Sequence, residues 1–168
     1  ELVDVLGSDV NIVNAARVSF AKEVQEVGEA DQKLMRYLWK HKHWTPFAHT
    51  CITVRCKAPI FLARQLVKHQ VGLVWNEESR RYIDTKPEYY IPDSLHIAPT
   101  NAKQGAGTAF TEVEYKAKID RLIQNTDECD DMYLLSIRGG MAPEEARMFL
   151  PLNTHTNWVW SGSLVAFM

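Results

Sequence analysis

The 168-residue sequence is short of several things, and each shortage excludes something. Charge of one sign is not in excess. Nineteen Lys and Arg stand against 21 Asp and Glu, a net of −2, so there is no broad basic field for nucleic acid and any anion site must be local. No apolar run approaches the roughly 18 residues of a membrane span, and no secretory leader is visible. Cysteine is scarce: Cys51, Cys56 and Cys129 are an odd number without metal-ligand spacing. They read as reduced thiols of a cytoplasmic protein. A glycine-rich phosphate loop is missing, because Gly105-Ala106-Gly107 is too short a pattern. Ser79 lacks the G-x-S-x-G frame of a hydrolase elbow. His41, His43 and His49 have no carboxylate or cysteine at a known ligand spacing, so no metal is expected.

What is present suits one globular domain over residues 1–168. The chain is 46% hydrophobic and 10% aromatic, too apolar and too weakly charged for disorder. It opens at Glu1 without methionine and closes inside the apolar run 164–168 with no helix stop signal, so a C-terminal continuation is expected.

Periodicity divides the chain into mixed elements. Residues 22–31 read as a loop. Leu34, Met35 and Leu38 predict a helix over 31–40, with Asp31 as its N-cap. A turn centres on Thr45-Pro46. Residues 50–57 alternate and predict a half-buried strand. Pro59 then opens a helix whose polar face gathers Arg64, Gln65 and Lys68, with His69 one turn after Gln65. Residues 71–75 lead out of it into a polar cluster over 76–82. Residues 89–107 read as a long loop. Two helices are predicted next, 110–124 and 130–138, the second ended by Gly139-Gly140. A short one starts at Pro143 and stops at Pro151. Residues 154–160 alternate as a strand, with Trp158 and Trp160 on one face, read as core. Without a regular βαβ rhythm the fold class is α+β, with mixed helices packed on an antiparallel sheet.

The informative stretch runs from Arg64 to Gln70 and on through Asn76 to Tyr82. Lysine and arginine bind phosphate, arginine with a two-pronged fork. Gln65 and Asn76 each offer a donor and an acceptor to the edge of a planar heterocycle. Ser79 and nearby backbone amides can cap a phosphate or a ring oxygen. Together these groups suit a nucleotide. The alternative from composition alone is a solvated, salt-bridged helix end.

Four blocks in order resemble the flavin-dependent thymidylate synthases: 15–20 (Ala-Ala-Arg-Val-Ser-Phe), 43–49 (His-Trp-Thr-Pro-Phe-Ala-His), 65–82, and 146–153 (Ala-Arg-Met-Phe-Leu-Pro-Leu-Asn). The family signature, R-H-R followed by N-E-x-S-x-R, reads here as Lys68-His69-Gln70 and then, after a gap one residue longer, Asn76-Glu77-Glu78-Ser79-Arg80-Arg81. The resemblance implies reductive methylation of dUMP to dTMP. Methylenetetrahydrofolate donates the carbon, NADPH reduces FAD, and no enzyme cysteine attacks the ring. It also implies a homotetramer.

Carried over residue by residue, the dUMP site comprises Gln65, Lys68, Glu77, Glu78, Ser79, Arg80, Arg81 and Arg147, with Glu78 and Arg80 contributing backbone groups. The flavin site comprises Ser19, His43, Thr45, His69, Gln70, Val71 and Asn76. Each has a plainer reading. Ser19 can end a strand, His43 and Thr45 can shape a turn, His69 can face a helix dipole, and Arg147 can pair with Glu144 one turn earlier. The chain departs from the family where Lys68 and Gln70 replace two arginines and where Ala48 stands for a common acid. These departures leave two further readings open: a folate-dependent dUMP hydroxymethylase without the hydride step, and a catalytically silent nucleotide-binding module.

Overall fold

The computed structural model describes residues 1–101 and 103–168. Ala102, inside the loop expected over 89–107, lies outside the described residues. The fold class is α+β as expected, a four-stranded antiparallel sheet with mixed helices. The strands are β1 (Leu2–Leu6), β2 (Cys51–Pro59), β3 (Leu73–Glu77) and β4 (His155–Ser163), in the order β1-β2-β4-β3. Leu6 lies opposite Cys51 in the antiparallel β1–β2 pair, and Trp75 lies opposite Trp160 in the antiparallel β3–β4 pair. The helices are α1 (Asp9–Arg17), α2 (Glu29–Lys40), α3 (Ile60–Leu66), α4 (Glu112–Arg138), α5 (Pro143–Ala146) and α6 (Leu164–Phe167). Two compact units result. One comprises Glu1–Lys57, Gln65–Glu77 and Asn157–Met168, the other Ala58–Arg64 and Glu78–Thr156.

In the first unit α1 buries Ile12 and Val13 and packs against the 3-10 turn Thr45–His49, where Pro46 and Phe47 are buried. That turn is the feature expected around Thr45-Pro46. Asp31 is not the N-cap of α2, because the helix begins two residues earlier and Gly28 takes the extended cap conformation. The Asp31 carboxylate instead reaches back to accept from Gly28 N at 3.0 Å, and it also accepts from the Arg17 guanidinium. A buried carboxylate is tolerable only when paired in this way.

Two readings of the middle of the chain need correction. Pro59 closes β2 and does not open a helix; α3 starts at Ile60 and ends after seven residues. Residues 73–77 form a strand, although Asn76 and Glu77 carry the polarity of a loop. Pairing with β4 overrides that local signal, as tertiary context does for short strands. Gly162 lets the two strands start this closely. A Cβ there would stand 2.6 Å from Gly72 O and 2.5 Å from Leu73 Cδ2.

In the second unit the two helices expected between 110 and 138 are one helix of 27 residues, α4. The polar stretch 125–129 looked like a break. It is helical nonetheless, and the buried Thr126 hydroxyl donates to Leu122 O at 2.8 Å and accepts from Asn153 Nδ2 at 3.1 Å. Thr111 caps the helix. Glu114 N donates to its hydroxyl at 3.4 Å, and Thr111 N and Oγ1 donate to the Glu114 carboxylate at 3.1 and 2.6 Å. Those bonds hold the Glu114 carboxyl below its ordinary range. Their contribution is therefore present at neutral pH and fades as the pH falls through that lowered value. Thr111→Ala is expected to cost about 1 kcal/mol in denaturant unfolding. Ile119 and Tyr133 on α4 and Ala146 on α5 form the buried centre of this unit.

Candidate functional site

In the first unit α3 ends at Leu66 and the chain turns before β3. His69 N donates to Leu66 O at 3.0 Å and Leu73 N to Gln70 O at 3.1 Å, with Gly72 at φ +75°. Lys68, His69, Gln70 and Val71 therefore lie exposed on this turn, and Lys68 and His69 are not on the helix face that their spacing suggested. Gln65 is exposed at the end of α3. Along β3 the pleat alternates: Leu73 and Trp75 are half-buried, while Val74 and Asn76 are exposed. The Trp75 ring stacks on Trp158 with centroids 4.3 Å apart and meets Trp160 edge-on at 5.4 Å. Its Nε1 donates to the Glu77 carboxylate at 3.1 Å.

A cleft of about 460 Å³ opens here, with His69 and Gln70 from the turn and Trp75 and Trp160 from the sheet in its wall. Aromatic walls beside an imidazole and an amide suit a planar heterocycle, the chemistry a flavin ring would need. Trp158 is core, as expected, but Trp160 is half-buried and lines the cleft. Trp75 escaped the sequence reading. Its signal was the two-residue alternation of 73–77, hidden by the adjoining charges.

Ser19, His43 and Thr45 belong to the same unit but lie outside the lining of this cleft. Ser19 sits in the 3-10 turn Val18–Phe20, not at a strand end. His43 closes the end of α2, its N donating to Leu38 O at 2.9 Å, and its ring lies 6.5 Å from Tyr37 in a stacked arrangement. Thr45 opens the following 3-10 turn and is exposed.

In the second unit the polar segment continues as a tight turn. Tyr82 N donates to Ser79 O at 3.0 Å, and both Arg81 N and Arg81 Nε donate to Ser79 Oγ at 3.3 Å. Glu78 and Arg80 are half-buried. Arg80 turns to its own segment, Nη1 donating to Thr85 O at 2.5 Å. Arg81 faces outward over the Tyr82 ring, 5.0 Å from its centroid. Its Nη1 lies 3.9 Å from Glu144 Oε1. Arg147 approaches the same oxygen, Nη2 at 3.9 Å, and donates from Nε to Glu144 O at 3.0 Å. The Arg147–Glu144 pairing read from their spacing is thus present, but Arg81 shares it.

Arg81 and Arg147 therefore approach one exposed carboxylate, and Ser79 Oγ is held against Arg81. Two guanidiniums on a single carboxylate leave unneutralised positive charge and several unused donors, which is what a phosphate monoester requires. Glu144 as the shared anion was not foreseen; its signal is the three-residue spacing to Arg147 at the start of α5.

The chain as a whole has counterparts in known proteins. The Thy1 family, described as thymidylate synthase complementing protein, matches residues 1–168. A flavin-dependent thymidylate synthase from Thermosipho melanesiensis is 39% identical over 161 residues, covering 95% of this chain and 69% of that protein. The chain belongs to the flavin-dependent thymidylate synthase family. A further member, from Wolbachia pipientis wMel, is 40% identical over 95% of this chain and 56% of its own length. Among solved structures, the UMP/dUMP methylase PolB from Streptomyces cacaoi bound with 5-Br dUMP superposes with a TM-score of 0.86 at 30% identity, covering 99% of this chain and 73% of that one. The flavin-dependent thymidylate synthases are methyltransferase enzymes, and this member carries the family's fold together with the two neighbourhoods described above.

Proposed function

We propose that this chain catalyses the reductive methylation of dUMP to dTMP, with methylenetetrahydrofolate as carbon donor and NADPH as the reductant of FAD. The convergence of Arg81 and Arg147 on Glu144 carries this reading. The substrate phosphate displaces the Glu144 carboxylate and takes both guanidiniums, with Ser79 Oγ beside Arg81 as a further hydrogen-bonding group. Backbone groups of Glu78 and Arg80 line the same turn. Gln65, Lys68 and Glu77 belong to the dUMP site in this proposal because their amide, ammonium and carboxylate groups have the chemistry to orient and polarise a uracil. The bromo-dUMP bound by PolB, at 30% identity, supports the choice of a pyrimidine monophosphate.

FAD is held by Ser19, His43, Thr45, His69, Gln70, Val71 and Asn76 in this proposal, and the reduced flavin, when bound, supplies the hydride. The aromatic cleft supports His69 and Gln70 in that role; Ser19, His43, Thr45, Val71 and Asn76 lie outside its lining. The 1–168 segment acts as one catalytic domain. Its self-association as a homotetramer is supported by β1, an edge strand whose Leu2, Val3, Val5 and Leu6 are all exposed. The free thiols Cys51, Cys56 and Cys129 support a cytoplasmic location. No helix among the described residues is long and apolar enough to cross a membrane.

Mass spectrometry of the product made from dUMP, methylenetetrahydrofolate, FAD and NADPH tests the reaction. The expected product is dTMP; hydroxymethyl-dUMP would refute the hydride step. The anion site has its own test. Glu144→Gln removes the competing carboxylate, so dUMP binding is expected to tighten by about 0.5 kcal/mol, the scale of an exposed ion pair. Weaker binding by calorimetry would show that Glu144 does not compete with the phosphate.

A further inference from the structure

Behind the turn that carries Ser79 and Arg81, α4 presents two buried polar side chains one turn apart, Asp130 and Tyr133. Both hold the segment that follows the turn. Tyr133, fully buried, donates its hydroxyl to Ile83 O at 3.2 Å. Asp130 accepts from the Tyr89 hydroxyl at 2.8 Å and pairs with Lys86 Nζ at 3.2 Å. The segment is fixed from its far side as well. Tyr89 bridges Thr154, His155 N donates to Glu88 O at 2.8 Å, and Tyr90 N to Asn153 O at 2.8 Å. At its near end Arg80 donates to Thr85 O. Residues 83–90 are thereby strapped between α4 and residues 153–155, and the strap begins one residue beyond Tyr82.

Packing alone does not account for Asp130. A buried carboxylate loses its hydration, and apolar residues of similar volume in its place are often neutral or stabilising. What a buried carboxylate supplies in return, in some proteins, is one chosen arrangement of the segment it holds. Here that segment follows directly on the turn of Ser79 and Arg81 and is tied to it by the Arg80 bond to Thr85 O. Lys86 spans the exposed side of the pair, its side chain 71% exposed, while the Asp130 side chain is 5% exposed. The Tyr89 phenol is held protonated well above its ordinary range by burial first, and then by its hydrogen bond to Asp130, consistent with a phenol that only donates here.

We propose that Asp130, acting through Lys86 and Tyr89, is a positioning residue for the phosphate-binding turn at Ser79–Arg81. The proposal rests on the reading of that turn as part of the dUMP site. Neither Asp130, Lys86 nor Tyr89 touches the substrate; they set the entropy that the turn loses when the phosphate binds.

The test is calorimetry of dUMP binding to the full chain, read as Kd and stoichiometry separately, with the melting temperature measured alongside. Asp130→Asn is expected to weaken dUMP binding about tenfold at unchanged stoichiometry. Lys86→Met, at an exposed side chain whose loss leaves the core packed, is expected to weaken it by about fivefold, and Lys86→Arg to restore it to within about twofold of wild type. A lower melting temperature with an unchanged Kd in both Asp130→Asn and Lys86→Met would make the network merely structural and overturn the proposal. So would Lys86→Met binding as tightly as wild type if Asp130→Asn fails to fold. Failure of the wild type to bind dUMP would instead refute the underlying reading of the turn.

Discussion

Arg81→Ala is expected to weaken dUMP binding by roughly 1.5–3 kcal/mol, the range for a hydrogen bond to a charged group. Three contacts define what is lost. The guanidinium donates to Ser79 Oγ, lies over the Tyr82 ring and approaches Glu144. Truncation leaves Arg147, among the described residues, as the remaining guanidinium on Glu144, so the net positive pair becomes a neutral one. A phosphate then has to displace a carboxylate that is fully matched. Arg81→Lys is expected to recover only part of the loss, because an ammonium keeps the charge but not the fork. Calorimetry that finds Arg81→Ala unchanged would remove Arg81 from the site. The turn itself survives either substitution, since Tyr82 N still donates to Ser79 O.

The largest expected stability effect lies in the other unit. Trp158→Ala is expected to destabilise by about 3–5 kcal/mol in denaturant unfolding, the cost of deleting a buried aromatic ring and leaving a cavity. Trp158 is 3% exposed and stacks on Trp75. Its loss also removes the support behind the cleft wall, so Trp75 can tilt away from Trp160. Trp158→Phe refills most of the space and is expected to cost less than half as much. Near-equal midpoints for Trp158→Ala and wild type would show that the indole stack does not hold β3 on β4.

How far the sequence foretold this molecule depends on where each signal resides. The alternation over 50–57 reports one buried and one wetter strand face, and β2 is where it was expected. β3 was missed because its partner, β4, lies more than 80 residues away and supplies the pairing that Asn76 and Glu77 alone do not suggest. Asp31 looked like a cap because caps are local. Its actual partners, Gly28 and Arg17, include one from another helix. Within the continuous α4 the buried Thr126 meets Asn153, 27 residues away, a partner that composition does not reveal.

The candidate site divides in the same way. Ser79 and Arg81 are two residues apart, so their contact could be read from the turn they share. The approach of Arg81 and Arg147 to one carboxylate oxygen joins segments more than 60 residues apart, and only the fold reveals it. The placement of Lys68 and His69 was misjudged for a local reason. Their spacing from Gln65 assumes a helix that runs on, whereas α3 stops at Leu66 and β3 begins after Gly72. The aromatic wall of the cleft that His69 and Gln70 line belongs to strands whose pairing was equally hidden.

The most direct measurement compares dUMP with deoxyuridine in calorimetric titrations of the wild-type protein. If two guanidiniums hold the substrate through its phosphate, dUMP binds with one site per chain and deoxyuridine binds weaker by about tenfold or more, in keeping with the loss of charged hydrogen bonds. Equal affinity for the two, or no binding of dUMP, would contradict the account.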